Sequence, residues 1–195
     1  MRQITSRRHE KLARVLAQRQ PDLTLVLANI HDPHNVSAIY RSADAFGVTG
    51  VHLYYTDTPF PALGRKCSAS ARKWVETYRH SSKEALVESL HSQGCRILAT
   101  SCSASSRPLG DYDLTQPVAI VMGNEHSGVP QDLQDIVDGE LYIPMYGMIQ
   151  SFNVSVAAAL ILYEAARQRA LAGMYDAPRY APEEYEARLA AWIEK

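Results

Sequence analysis

Cysteine is scarce in this sequence. Three residues of 195, Cys67, Cys95 and Cys102, form an odd set without C-x-x-C spacing. That excludes a disulfide framework and a zinc ribbon, and points to a reducing compartment. Long apolar runs are missing as well. The longest, Val154 to Leu162, is interrupted at Ser155 and falls well short of the roughly 20 residues a membrane span needs. No apolar segment follows Met1 to Arg8, so no secretory leader is read and a cytoplasmic location is expected. The G-x-x-x-x-G-K-[ST] phosphate loop, the G-x-G-x-x-G fingerprint and the G-x-S-x-G nucleophile elbow are absent, which argues against a generic nucleotide-binding protein or a hydrolase. Cations are missing from residues 108–166, a stretch that carries eight acids and no Lys or Arg.

What remains is an ordinary globular composition, 46% hydrophobic and 21% charged, in a chain long enough for one domain with an appendage. The net charge of −1 hides two basic segments. Residues 1–20 hold Arg2, Arg7, Arg8, Lys11, Arg14 and Arg19 against Glu10, and residues 65–83 hold Arg65, Lys66, Arg72, Lys73, Arg79 and Lys83 against Glu76. Each nets +5, either the footprint of a polyanion partner or a solvated helix face.

Hydrophobic periodicity predicts a basic amphipathic helix over 3–18, a buried strand over Leu23–Ala28 and a helix over Val36–Phe46 with Asn35 as its N-cap. Strands follow at 51–55, 74–78, 96–100, 118–122 and 140–143, with helices at 82–92 and 133–137. A long helix is read over 153–171 and a C-terminal one around Tyr185 to Ile193. Residues 56–73 fit no pattern and read as a long functional or mobile loop. Apolar strands alternating with helices predict an α/β fold, a mostly parallel sheet with helices on both faces. The expected division is a basic N-terminal helical extension (1–22), one α/β domain (23–173) and a C-terminal helical extension (174–195). Ligands of such sheets bind at the carboxyl ends of the strands, so the loops after strands hold the interest.

Three loops stand out. In Asn29 to Gly47, Arg41 sits in a helix poor in other charge. It is either a structural partner of Asp44 or a guanidinium facing a phosphate or a developing oxyanion. In Val118 to Val129, a buried strand runs into Gly-Asn-Glu-His-Ser-Gly, where Gly123 and Gly128 permit tight turns and leave room for a ligand's close approach. Glu125 with His126 could form an acid–base pair, whereas metal is disfavoured because no second His or Cys lies at ligand spacing. In Leu141 to Ala158, a strand ends at Ile143-Pro144 and a helix starts near Ser151 or Asn153. Its first amides could hold an anionic group, or Ser151, Asn153 and Ser155 could be caps and nothing more. Ala157, Ala158 and Ala159 read as a flat helix face for tight packing or a dimer contact.

These loops, in this order, resemble the three motifs of the SPOUT superfamily, and within it the SpoU/TrmH family of RNA 2′-O-ribose methyltransferases. The matching segments are Asn35 to Gly47, Gly123 to Val129 and Ile143 to Ala158. The resemblance spans most of residues 24–172. It implies a sheet with a deep C-terminal trefoil knot whose loops bind S-adenosylmethionine, and a homodimer with sites near the subunit interface. It implies catalytic roles for Arg41, Asn35, Glu125, Ser151 and Asn153, and a cofactor site lined by Thr100, Gly123, Ile143, Met145 and Phe152; the family often has Leu where Phe152 stands. Neither metal nor membrane is implied. The basic N-terminal helix and the tail from Gly173 to Tyr180 are similar to those of members that methylate guanosine 18 in the D-loop of tRNA. Another RNA, ribosomal or the tRNA anticodon loop, and a non-catalytic RNA-binding dimer are the alternatives. RNA contacts are expected at Arg7, Arg8 and Lys11, of which Arg7 and Lys11 share a helix face, and at Arg167 and Arg169 at the end of the long helix.

Overall fold

Six consecutive buried residues form strand β1 (Leu23–Ala28), and they divide between two cores. Leu23, Leu25 and Leu27 face one cluster, and Val26 and Ala28 face the other. Successive side chains of a strand point to opposite sides, so this division places β1 at the centre of a sheet covered on both faces. A computed structural model describes residues 4–61, 71–124 and 126–195.

The further strands are β2 (Gly50–Tyr54), β3 (Glu76–His80), β4 (Arg96–Thr100), β5 (Arg107–Pro108), β6 (Val118–Met122) and β7 (Gly139–Tyr142). They form one seven-stranded sheet in the order β3-β2-β1-β6-β4-β7-β5, with every pairing parallel. Helices α2 (Pro33–Ala45) and α4 (Val154–Leu171) cover one face through Val36, Ile39, Ala43, Ala158, Ile161 and Ala165. Helix α3 (Lys83–Ser92) and a 3₁₀ segment (Gln131–Ile136) cover the other through Leu86, Leu90 and Leu133.

The expected elements are present with three changes. The cap of α2 is Asp32, whose carboxylate accepts from the His34 amide at 2.8 Å, and not Asn35. Pro33 at the first helical position explains the shift, because its fixed φ and missing N–H suit that place. Strand β3 begins two residues later than its apolar residues suggested, since Val75 closes a turn on Ala71. The two-residue β5 carries no periodic signal. Of the irregular 56–73 stretch, residues 62–70, with Cys67, Arg65 and Lys66, lie outside the described residues.

Helix α1 (Ser6–Ala17) and helix α5 (Pro182–Glu194) pack on each other beside the sheet. Leu12 and Leu16 meet Tyr180, Leu189 and Trp192 in a satellite core of their own. No helix among the described residues is long and apolar enough to cross a membrane.

Candidate active site

Strands β4, β6 and β7 end side by side, and the loops that leave them enclose a cavity of about 530 Å³. Its wall contains Thr100 and Cys102 after β4, Met122 to Asn124 with Gly128 after β6, and Leu141 to Ile143, Met145 and Gln150 to Val154 after β7. The start of α4 completes it with Ala157 and Ile161. All five residues expected to line a cofactor site, Thr100, Gly123, Ile143, Met145 and Phe152, are on this wall, as are Ser151 and Asn153.

Local chemistry shapes each loop. After β6, Asn124 and Gly128 exchange backbone hydrogen bonds of 3.0 and 3.1 Å, and the Asn124 side chain accepts from the amides of His126 and Ser127. Gly128 adopts φ +71°, which glycine tolerates without strain. The turn folds back so closely that a Cβ on Gly123 would lie 2.1 Å from the Gly128 carbonyl carbon. The space that Gly123 leaves is therefore filled by the chain's own backbone and not by a ligand. After β4, the hydroxyls of Ser103, Ser105 and Ser106 donate to the Glu140 carboxylate on β7. Those bonds, Ser103 foremost, hold the Glu140 carboxyl below the usual carboxylate range and fasten the loop that carries Cys102. Thr100 Oγ1 donates to the Val121 carbonyl at 3.1 Å, tying β4 to β6 at the rim.

Asn153 caps α4, its Oδ1 accepting from the Ser155 amide at 2.9 Å. Its Nδ2 donates to Asn35 Oδ1 at 3.1 Å, across 118 residues of sequence. Asn153 is thus both a cap and a link between the first and third motif loops. Asp32, and not Asn35, does the capping of α2. Arg41 is exposed and does not pair with Asp44, whose carboxylate is taken by Arg19. Among the described residues no carboxylate forms an ion pair with Arg41. Six residues separate Asn35 from Arg41, about 120° around the helix, and Arg41 is absent from the cavity wall. Glu125 lies outside the described residues. Three consecutive alanines cannot share one helix face, and Ala157 lines the cavity whereas Ala158 packs in the core.

The expected RNA contacts separate into two groups. Arg7, Arg8 and Lys11 are exposed on α1, and Arg167 is half-exposed beside Glu164. Arg169 corrects the expectation, because its side chain is 0% exposed and fully engaged. It donates to the carbonyls of Leu114 (2.9 Å) and Gln116 (3.1 Å), to Gln20 Oε1 (3.1 Å) and to Asp22 Oδ1 (2.5 Å). No atom of it is left for RNA. Asn124 was missed as a site residue, although an Asn that opens a glycine-closed loop is a legible turn signal.

No charged side chain lines the cavity among the described residues, so it has no cation for a polyphosphate. Apolar walls with backbone polar groups suit a flat heterocycle joined to a polar tail, and the volume is that of a small-molecule site. Among the described residues no cluster of three or more His, Cys, Asp or Glu could hold a metal ion.

A cavity at the carboxyl ends of a parallel sheet, walled by the second and third motif loops, defines an α/β enzyme that handles a small cofactor. The chain belongs to the SpoU rRNA Methylase family, whose model matches residues 22–163. It is 42% identical over 195 residues to the tRNA (guanosine(18)-2′-O)-methyltransferase of Thermus thermophilus, covering 100% of both chains. Among solved structures it is similar to the TrmH/SpoU tRNA modifying enzyme of A. aeolicus, with a TM-score of 0.89, 37% identity and coverage of 96% of this chain and 95% of that one. It is also similar to the SpoU methyltransferase AviRb of Streptomyces viridochromogenes in complex with the cofactor AdoMet. There the TM-score is 0.67 and the identity 28%, over 80% of this chain and 62% of that one.

Proposed function

We propose that this protein transfers a methyl group from S-adenosylmethionine to the ribose 2′-hydroxyl of guanosine 18 in the D-loop of tRNA. The observation that carries the reading is the convergence of the third motif and the glycines of the second on one cavity without a charged side chain among the described residues, with Asn35 of the first bonded to Asn153 at its edge. Similarity to the Thermus thermophilus enzyme over the whole chain supports the choice of tRNA and of nucleotide.

The cofactor supplies an electrophilic methyl on a sulfonium and needs no metal. Ile143, Met145 and Phe152 offer apolar surface for its adenine, and the loop amides and hydroxyls around Thr100, Asn124 and Ser151 offer partners for its polar parts. AviRb, with AdoMet bound, supports this assignment. A ribose hydroxyl is a weak nucleophile at neutral pH and must lose its proton as the methyl arrives. Arg41 stabilises the developing alkoxide or orients an RNA phosphate that takes the proton. Asn35, Ser151 and Asn153, with Glu125, hold the ribose in line.

A second copy of the chain completes the site in this reading. Arg41 is rooted about 120° around α2 from Asn35 and is absent from the wall of its own cavity. Val156, Leu160 and Tyr163 form an exposed apolar stripe on α4, and Tyr146, Met148 and Ile149 are exposed on the loop before it. A homodimer buries both and carries Arg41 to the partner's cavity. The knot implied by the motifs would hold the cavity loops in place. The terminal extensions, residues 1–22 and 174–195, act as one RNA-holding unit through Arg7, Arg8 and Lys11, and Arg167 adds to that surface from the end of α4, while residues 23–173 perform the chemistry in the cytoplasm.

The test is methyl transfer by the purified protein to an unmodified tRNA transcript with labelled cofactor, followed by mapping. A single 2′-O-methyl at guanosine 18 is expected. A methyl on a base, on the anticodon loop or on ribosomal RNA in preference to tRNA contradicts the reading.

A further inference from the structure

Helix α2 carries the catalytic Arg41 but ends without a cation of its own, since no basic residue lies in its last turn. The last carbonyls of a helix attract positive charge, and here the charge comes from elsewhere in the chain. Arg19, two residues past the end of α1, reaches the carboxyl end of α2 with a side chain 1% exposed. Its Nη1 donates to the Val48 carbonyl at 2.9 Å and to the Asp44 carbonyl at 3.4 Å, and its Nη2 donates to the Asp44 carboxylate. Its guanidinium carbon lies 5.2 Å from the centre of the Trp192 ring on α5. The adjoining seam is tight. The Gln20 amide donates to the Gly47 carbonyl at 2.8 Å, and a Cβ on Gly47 would sit 2.8 Å from the Gln18 carbonyl oxygen.

We propose that Arg19 is a positioning residue for Arg41, a bolt that fixes the end of α2 against the α1–α5 pair. The proposal rests on the methyl-transfer reading given above. Arg41 is three residues before Asp44, on the adjoining turn and the same side of α2. Its guanidinium stands at the end of a long side chain, so its place depends on the tilt and register of the helix that roots it. A misplacement of about 1 Å costs on the order of 100-fold in rate. Stability alone does not require this design, because a buried ion pair is often replaced by packed apolar side chains without loss. The planar fork adds direction, holding two carbonyls and a carboxylate at once. Being buried, Arg19 offers nothing to RNA or cofactor itself.

The test compares wild type with Arg19→Lys, Arg19→Met and Asp44→Asn by thermal melting, cofactor calorimetry and steady-state kinetics on tRNA. A kcat at least tenfold lower in both Arg19 variants, and severalfold lower in Asp44→Asn, is expected. The cofactor Kd and the KM for tRNA should stay within twofold. Amides of residues 39–45 should exchange hydrogen faster in the variants. Should Arg19→Met fail to fold, Arg19→Lys and Asp44→Asn decide by the same criteria. Folded variants with wild-type kcat overturn the proposal, as does a change confined to the KM for tRNA, which would make Arg19 an RNA contact. An active wild type with unaffected variants removes this role alone, whereas a wild type inactive on tRNA removes the proposed function and this role with it.

Discussion

The cavity and the α1–α5 pair are built on opposite chemistry. The cavity takes most of its wall from residues 122–161, within the stretch that has no Lys or Arg, and it is shaped by backbone turns, apolar side chains and neutral polar groups. The helical pair and the segments beside it are laced with charge: Arg188 of α5 pairs with Glu184 and with Glu76 of β3, Arg179 before α5 pairs with Asp22, and Arg7, Arg8 and Lys11 stay exposed on α1. The difference matches two kinds of ligand. A small cofactor is recognised by shape and short-range contacts, whereas a polyanion is gathered by charge that salt screens. Arg41 belongs to neither region, and in the proposed function it is the cation through which the two act together.

Removing that cation should have the largest effect. Arg41→Ala should lower kcat about 100- to 1000-fold with cofactor affinity within twofold, the usual loss for an oxyanion-stabilising donor. Retention of more than a tenth of the wild-type rate at saturating tRNA would sink its assigned role. Next comes a cation that looks like part of the RNA surface in sequence but is buried in the fold. Arg169→Ala should destabilise the protein by about 3–5 kcal/mol, because it leaves Gln20 and the carbonyls of Leu114 and Gln116 without this donor and Asp22 with Arg179 alone. At temperatures where the variant is folded, the salt dependence of tRNA binding should be unchanged. A reduced salt slope with an unaltered melting temperature would return Arg169 to the RNA surface.

On the cavity side, Gly123→Val should weaken cofactor binding tenfold or more by displacing the Gly128–Val129 backbone. Calorimetry showing wild-type affinity in the folded variant would contradict this. The smallest effect is expected on the charged side. Replacing Arg7, Arg8 and Lys11 together with Ala should raise the KM for tRNA severalfold and reduce the slope of log K against log salt by about 2–3. The kcat at saturating tRNA and the cofactor affinity should not move. Equal tRNA affinities for wild type and triple variant across a salt series would leave α1 a solvated helix and nothing more.

The sheet was legible in the sequence because its strands are buried on both faces, so Leu23 to Ala28 and Val118 to Met122 read as continuous apolar runs between turn residues. The cavity wall was legible through motif order, since loops that follow adjacent parallel strands must share one end of the sheet. Other features depend on contacts that sequence spacing does not reveal. Arg169 looks like a cation at a helix end, and its burial depends on Asp22, 147 residues away. Asp44 looks like a partner for Arg41 three residues earlier, yet Arg19 takes it from a different helix. Asn35 looks like a cap, but the Asp-Pro pair before it begins the helix sooner and turns Asn35 toward Asn153. At Gly123 the need for glycine was legible and its cause was not, because the group that requires the space is the chain's own Gly128.

The most direct test of the account uses two tRNA transcripts that differ by one oxygen, one with guanosine at position 18 and one with 2′-deoxyguanosine there. Purified protein with labelled S-adenosylmethionine should place one methyl on the first and none on the second, with both transcripts bound equally well. Equal methylation of the two would show that the 2′-hydroxyl of that nucleotide is not the acceptor and would contradict the account.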